Sequence, residues 1–355
     1  MTDGKEALLY EQVPGGRVRC TACARYCNIP EGKIGLCGVR GNLNGKLWLY
    51  VYGKIIAGHV DPIEKKPVTH YMPGSKIFSI ATNGCNWLCA YCQNYDISQR
   101  RKIQGSDVTP EKVVEMTKRY RCQGLAYTYN QPTIFMEFAH DIGVQARKAG
   151  LINIFVSNGY DTPETVALMP DFLDCITVDF KGNGETSFVR KYIGIANAEP
   201  IFQTLLNIRD KTDVHIEITD LIVPEVGDDL EAAKKLSIWV YDNLGPDTPI
   251  HFLRFHPDYK MMNLPPTPVE TLEKHHAIAK KAGLNYVYLG NVPGHPLEHT
   301  YCPECGKVVV ERLGFDISGW HLDNQNCCSY CGNEIPIVGH LSQSVNEERF
   351  RPVII

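Results

Sequence analysis

Between residues 76 and 290 the chain repeats one rhythm, a short run rich in β-branched and aromatic residues followed by an amphipathic stretch. The runs are KIFSIA (76–81), GLAYTY (124–129), INIFVSN (152–158), CITVDF (175–180), VHIEITDLIV (214–223), IHFLRF (250–255) and NYVYLG (285–290), and each reads as a strand. Helix signals separate most of them. Thr109-Pro110-Glu111 reads as N-cap, proline at N1 and first-turn acid ahead of Val113, Val114 and Tyr120. Ile134, Phe135, Phe138 and Ile142 recur at helical spacing, and Gly150 follows as a C′ residue. Residues 228–245 and 267–283 give two more helical patterns that end at glycine. Strand, helix, strand in this order predicts a parallel sheet with right-handed crossovers. Six or seven such units suit an open or partial (β/α) barrel better than a small doubly wound sheet. Functional residues then belong at the C-terminal ends of the strands.

Residues 1–58 and 297–345 lack this alternation and read as appended modules around a barrel of residues 59–296, with 346–355 as a polar tail. Of the 355 residues, 44% are hydrophobic and 21% charged, which excludes a disordered or fibrous chain. A formal net charge of −4 supplies none of the bulk basic field of a dedicated nucleic-acid binder. No apolar run approaches the roughly 18–20 residues that span a bilayer, and the start MTDGKEALLYEQ is too polar for a signal-peptide core. The expectation is a cytoplasmic protein without membrane contact, whose thiols stay free or bind metal.

That expectation gives meaning to 14 cysteines. Cys122 and Cys175 stand alone and read as small core residues; the others form three clusters at ligand spacing. Cys85, Cys89 and Cys92 follow the KIFSIA strand as C-x3-C-x2-C. A closed tetrahedral thiolate site needs four ligands, and no fourth cysteine is near. Three thiolates on a [4Fe–4S] cluster would leave one iron open for an exogenous ligand; the rival reading is a zinc knuckle with a distant fourth ligand. Cys302-x2-Cys305-Gly306 and Cys328-x2-Cys331-Gly332 are paired knuckles that predict a ribbon-like zinc site, with a rubredoxin-like iron site as the rival. Cys327 and His321 read as non-ligands there. Cys20, Cys23, Cys27 and Cys37 offer four more thiolates, which suit zinc or an iron–sulfur cluster, with zinc the first choice.

The C-x3-C-x-aromatic-C motif with Tyr91 resembles the radical S-adenosylmethionine (SAM) superfamily. The resemblance implies a partial (β/α)6-type barrel and an open iron that chelates SAM. An external one-electron reductant then drives cleavage of SAM to a 5′-deoxyadenosyl radical that abstracts hydrogen. It also implies SAM contacts at later strand ends, namely Asn130 and Gln131, Ser157 and Asn158, Asp179 and Lys181, and His256 beside Arg254. Relatives carry Glu where this chain has Gln131, which removes charge assistance from a hydrogen bond to the SAM ammonium.

Across almost the whole chain, Asp61-Pro62-Ile63-Glu64-Lys65-Lys66-Pro67, Pro73-Gly74-Ser75, Cys92 to Ser98, Tyr127 to Thr133 and both outer cysteine sets resemble the AmmeMemoRadiSam-system radical SAM enzymes. The barrel is also similar to pyruvate formate-lyase activating enzyme. The resemblance implies Memo-like and AMMECR-type protein partners and leaves the substrate open. An open barrel with modules at both ends suits a protein or RNA substrate. The basic runs Arg100-Arg101-Lys102 and Lys118-Arg119-Arg121 keep RNA in view, although a solvated face is the ordinary reading. Lys65, Lys66 and His70 are read as solvated surface charge that could alternatively reach the barrel mouth. The alternatives are an activase of a glycyl-radical enzyme and a non-catalytic zinc-ribbon interaction protein.

Overall fold

The computed structural model describes residues 4–99, 102–343, 347, 349–353 and 355. Arg100 and Arg101 of the first basic run lie outside them; Lys118, Arg119 and Arg121 are exposed. The centre is a nine-stranded sheet. In chain order its strands are β1 (Ala57–Pro62), β2 (Lys76–Ala81), β3 (Gly124–Tyr127), β4 (Ile152–Ser157), β5 (Cys175–Lys181), β6 (His215–Ile222), β7 (Ile250–Arg254), β8 (Val287–Gly290) and β9 (Arg351–Pro352). All seven runs expected from the sequence form strands of this sheet, with ends that agree to within two residues.

The spatial order is β8-β7-β6-β5-β4-β3-β2-β1-β9. Pairing from β2 through β8 is parallel, while β1 and β9 add on antiparallel. The order never reverses along the parallel run, unlike a doubly wound sheet, where a reversal creates the switch point. Right-handed crossovers that always step the same way put every helix on one face. The long helices are α1 (Pro110–Arg119), α2 (Met136–Lys148), α3 (Glu199–Lys211), α4 (Leu230–Leu244) and α5 (Val269–Lys281). Their starts follow local chemistry. Thr109 Oγ1 accepts from Lys112 N at 3.3 Å with Pro110 at N1, and Asp229 Oδ1 accepts from Ala232 N at 2.6 Å.

Alternation along the strands sorts the two faces. Phe78, Ile80, Leu125, Tyr127, Phe155, Ile176, Val178, Phe180 and Phe252 are buried in the main hydrophobic core. Burying each such side chain contributes about 1.5–3 kcal/mol. The residues between them face the other way. On that side Ile77, Ala126, Ile154 and Cys175 pack with Ile63 and Val68 in a separate small cluster. Further along, Asp179, Thr219, His251 and Tyr288 fall in one register row across β5 to β8. This face is apolar at one end and polar at the other.

Residues 5–49 form two small three-stranded antiparallel sheets, Lys54–Ile55 pairs with Ser106–Asp107, and Thr300–Tyr301, Val308–Leu313 and Asp316–Trp320 form a further three-stranded sheet. The expected polar tail contributes β9, which pairs with β1 through Arg351↔Val60 and Pro352↔His59. Among the described residues no helix is long and apolar enough to cross a membrane.

Candidate active site and metal centres

Cys85, Cys89 and Cys92 lie on the loop after β2, at the C-terminal edge of the sheet, and line a cavity of about 320 Å³. Gly84 makes the loop possible: its φ is +84°, and a Cβ there would lie 2.3 Å from the Cys37 carbonyl oxygen. Asn130 stitches the loop to β3, donating from Nδ2 to Thr82 O at 2.8 Å and Gly84 O at 2.9 Å. Its Oδ1 is buried with no partner among the described residues, and Asn130 lines the cavity. Burial pushes the Cys85 thiol up to about 11 and raises Cys89 and Cys92 as well, the last against a hydrogen bond with Ser98. Ionising three half-buried thiols on one loop together therefore calls for positive charge between them. Soft donors on one loop, with an open cavity in front and an unused acceptor on its wall, suit an iron–sulfur cluster and a bound cationic cofactor.

The remaining expected contacts divide. Tyr91, Asn130, Gln131, Asn158, Asp179, Lys181 and His256 all line this cavity. Tyr91 is buried and packs on Phe188 and Phe255, with ring centroids 6.0 and 6.3 Å away. Lys181 Nζ pairs with Asp179 Oδ2 at 3.0 Å, and Asp179 also accepts from Thr219. His256 is exposed at the rim, its Nδ1 3.1 Å from Asp258. Gln131 is turned into the protein: Nε2 donates to Ser157 Oγ at 2.8 Å and to Asp161 Oδ1 at 3.1 Å, while Oε1 accepts from Asn158 N at 2.7 Å. Ser157 does not line the cavity; it is held in this network and accepts from Gly159 N at 3.0 Å. Burial pushes the Asp161 carboxyl at the network's centre up to about 6, against hydrogen bonds from Thr133, Ser157 and Gln131.

The reading of Lys65, Lys66 and His70 as solvated charge is corrected. Lys66 is buried, with Nζ 2.6 Å from Asp61 Oδ2 and 4.8 Å from the Tyr129 ring centre. Tyr129 donates to the same carboxylate at 2.6 Å, and half-buried Lys65 completes it from 2.8 Å. Desolvation pulls Lys66 down to about 8 despite the Asp61 charge. Both lysines line the cavity. His70 is fully buried away from it. An ion pair hidden on a cavity wall is invisible in a DPIEKK string, because only β1 and the loop after β3 together enclose it.

A second cavity of about 290 Å³ continues from the first and shares Lys65, Asp179 and Asn291 with it. Its wall includes Thr177, Thr219, His251, Tyr288 and Arg312. No motif pointed to this row, yet polar residues at alternate positions of β5 to β7 were a readable signal.

Cys302, Cys305, Cys328 and Cys331 bring four sulfurs within 4.8 Å of one another, and among the described residues no other metal-ligating group is drawn so close. The Cys302–Cys331 and Cys305–Cys328 separations are 3.6 and 3.8 Å. A tetrahedron with ~2.3 Å zinc–sulfur bonds has edges of about 3.8 Å. The two knuckles share one geometry: Gly306 N donates to Cys302 O at 2.9 Å and Gly332 N to Cys328 O at 2.8 Å, with φ of 69° and 78°. Cys327 and His321 lie outside the set, and His321 Nε2 is 3.1 Å from Glu311. Cys122 and Cys175 are core residues.

Residues 79–236 match the sequence profile of the radical SAM superfamily. A protein of Methanocaldococcus jannaschii described as uncharacterized protein MJ0808 is 43% identical over 337 residues, which are 94% of this chain and 99% of that one. The chain belongs to the radical SAM superfamily. Enzymes of this superfamily work with SAM, an iron–sulfur cluster and a reductant. Solved structures with similarity include a domain of pyruvate-formate lyase-activating enzyme from Bacteroides vulgatus (TM-score 0.41, 18% identity, 47% of this chain and 99% of that one). Another is a radical SAM methyltransferase from Sphaerobacter thermophilus (TM-score 0.47, 10% identity, 61% and 67%).

Proposed function

We propose that this is an AmmeMemoRadiSam-system enzyme whose Cys85, Cys89 and Cys92 hold a [4Fe–4S] cluster with one iron left for SAM. The carrying observation is that three half-buried thiols share one loop at the mouth of a cavity of about 320 Å³, a volume within the range of small-molecule sites. When bound, the cluster and SAM supply a 5′-deoxyadenosyl radical that takes hydrogen from a substrate. The chain's own residues bind, orient and exclude water. Asn130 holds the cysteine loop against β3 and turns Oδ1 toward a donor such as the SAM ammonium. The Gln131–Ser157–Asp161 network fixes the turn that presents Asn158. Lys181, neutralised by Asp179, marks the floor, and exposed His256 borders the entrance.

We further propose a partial barrel: the one-directional strand order, and cavities walled by loops from β1 through β8, support it. The 302–331 quartet is read as structural zinc. The Memo-like and AMMECR-type proteins are its expected partners, and a cytoplasmic setting suits an incompletely ligated cluster.

The test is anaerobic incubation of reconstituted protein with SAM and dithionite. It is expected to release methionine and 5′-deoxyadenosine, and Cys85→Ala is expected to abolish both. A reconstituted, iron-loaded protein that leaves SAM intact would remove the catalytic reading.

A further inference from the structure

Cys20, Cys23, Cys27 and Cys37 line one small pocket together with Ala22, Ile29 and Ile134. Cys20, Cys23 and Cys37 are buried, and Cys27 is half-buried. Four thiols in such an enclosure need a cationic partner to ionise. Their spacing separates them from the C-terminal set. There four sulfurs lie within 4.8 Å of one another, whereas no three of the N-terminal sulfurs do. A lone tetrahedral ion asks for edges near ~3.8 Å, and a multi-iron core holds its cysteines further apart.

Two buried donors wait at the same pocket. Arg25 and Asn86 line it, and Arg25 Nη2 and Asn86 Nδ2 have no hydrogen-bond partner among the described residues. Arg25 Nε meanwhile donates to Asn86 O at 3.0 Å. Inorganic sulfides and thiolates are acceptors for such N–H groups, and hydrogen bonds to sulfur are a standard means of tuning cluster potential. Arg40 adds a fixed cation at the pocket wall, anchored to Glu137.

Position supplies the role. Asn86 is covalently next to Cys85, so one residue walls the N-terminal pocket and belongs to the central cysteine loop. Gly84 touches the Cys37 carbonyl so closely that a Cβ would not fit. The two cysteine loops are therefore in direct van der Waals contact, with no solvent layer between them at this point.

We propose that Cys20, Cys23, Cys27 and Cys37 bind an iron–sulfur cluster rather than zinc, and that this cluster passes single electrons to the Cys85–Cys89–Cys92 centre. In the step, an external one-electron protein donor loses one electron and the N-terminal cluster gains it. The electron then moves to the central cluster, restoring the first to its oxidised state; no bond forms or breaks. The relay rests on the proposed function, and the metal assignment does not.

The experiment begins with wild-type protein reconstituted anaerobically with iron and sulfide. It is expected to hold more than about four irons per chain, the content of one cubane, and about one zinc. The Cys85→Ala/Cys89→Ala/Cys92→Ala variant is expected to keep the excess iron and sulfide, with a reduced-state paramagnetic signal that SAM does not change. Wild-type protein with two zincs and no more than one cubane's iron would overturn the assignment, even if the variant failed to fold. Loss of all iron from a folded triple variant would do the same. Iron in the quartet with no 5′-deoxyadenosine from wild type would uphold the assignment and end the relay and the catalytic reading. For the relay, Cys23→Ser/Cys27→Ser is expected to slow 5′-deoxyadenosine formation driven by a reduced ferredoxin about tenfold or more. The dithionite-driven rate of the same variant is measured beside it, and the fall with ferredoxin is expected to exceed the fall with dithionite. Equal ferredoxin-driven rates would overturn the relay.

Discussion

Asp220 shows how a single side chain records its surroundings. It sits near the end of β6 with Oδ1 accepting from Asn183 N at 3.1 Å, while Oδ2 is buried without a partner among the described residues. Desolvation lifts its pKa from 3.8 to about 7, with the Asn183 N–H and Lys181 opposing and Asp179 reinforcing. A raised folded-state pKa means the native state holds a proton that the unfolded state has lost between pH 4 and 7. Stability from this group is then full at the acid end and falls as pH rises through that window. Asp220→Asn keeps one acceptor and removes the titration. The variant is expected to gain on wild type progressively from pH 4 to 7, by at most about 4 kcal/mol, and to run parallel above it. Urea melts at stepped pH check this, and a pH-independent difference would contradict it. Alternating polarity in the strand was legible; the burial that makes Asp220 protonatable was not, because it comes with tertiary neighbours such as Asn183, distant in sequence.

Among elements, the contact between two loops matters more than any helix. The cysteine loop after β2 and the Cys37 loop meet at Gly84, where positive φ and the missing Cβ are both required. Gly84→Ala sets a methyl group against a backbone carbonyl that has no rotamer to change. It is expected to lower stability by about 1–3 kcal/mol and to reduce iron incorporation at both cysteine sets together. Thermal melts and iron analysis measure this; loss from only one set would separate the loops. The strands and capped helices were readable because periodicity and capping are local. The loop contact joins residues 37 and 84, and no local pattern encodes it.

At the scale of the molecule, the C-terminal module is bolted to the sheet by a directional chain of hydrogen bonds. Arg312 Nη1 donates to Thr300 Oγ1 at 2.7 Å, Thr300 lies 2.9 Å from the Tyr288 hydroxyl, and Tyr288 meets His70 Nε2 at 2.6 Å. His70 Nδ1 faces the Pro336 carbonyl at 3.2 Å, so Nδ1 carries the proton and Nε2 accepts. Burial keeps this imidazole neutral, its pKa down to about 3. Because metal binding at a structural site is folding energy, Cys305→Ser/Cys331→Ser is expected to cost about one zinc per chain and unlock this chain. Hydrogen exchange is expected to speed up over residues 300–337 and 69–71 while residues 124–180 stay protected. Unchanged exchange around His70 would show that the module is held by other means.

The order of elements, the parallel sheet and the three sets of clustered cysteines follow from the sequence alone. Each rests on spacing within a few residues or on a repeated rhythm, and such signals survive without a third dimension. Tertiary structure alone decided which polar residues share a cavity, that Lys66 and His70 are buried, and that Gln131 turns inward. It also decided that two of the cysteine loops touch while the third set stands apart. Those outcomes depend on segments distant in sequence closing around one another, which fixes burial and hydrogen-bond partners only once the chain has folded.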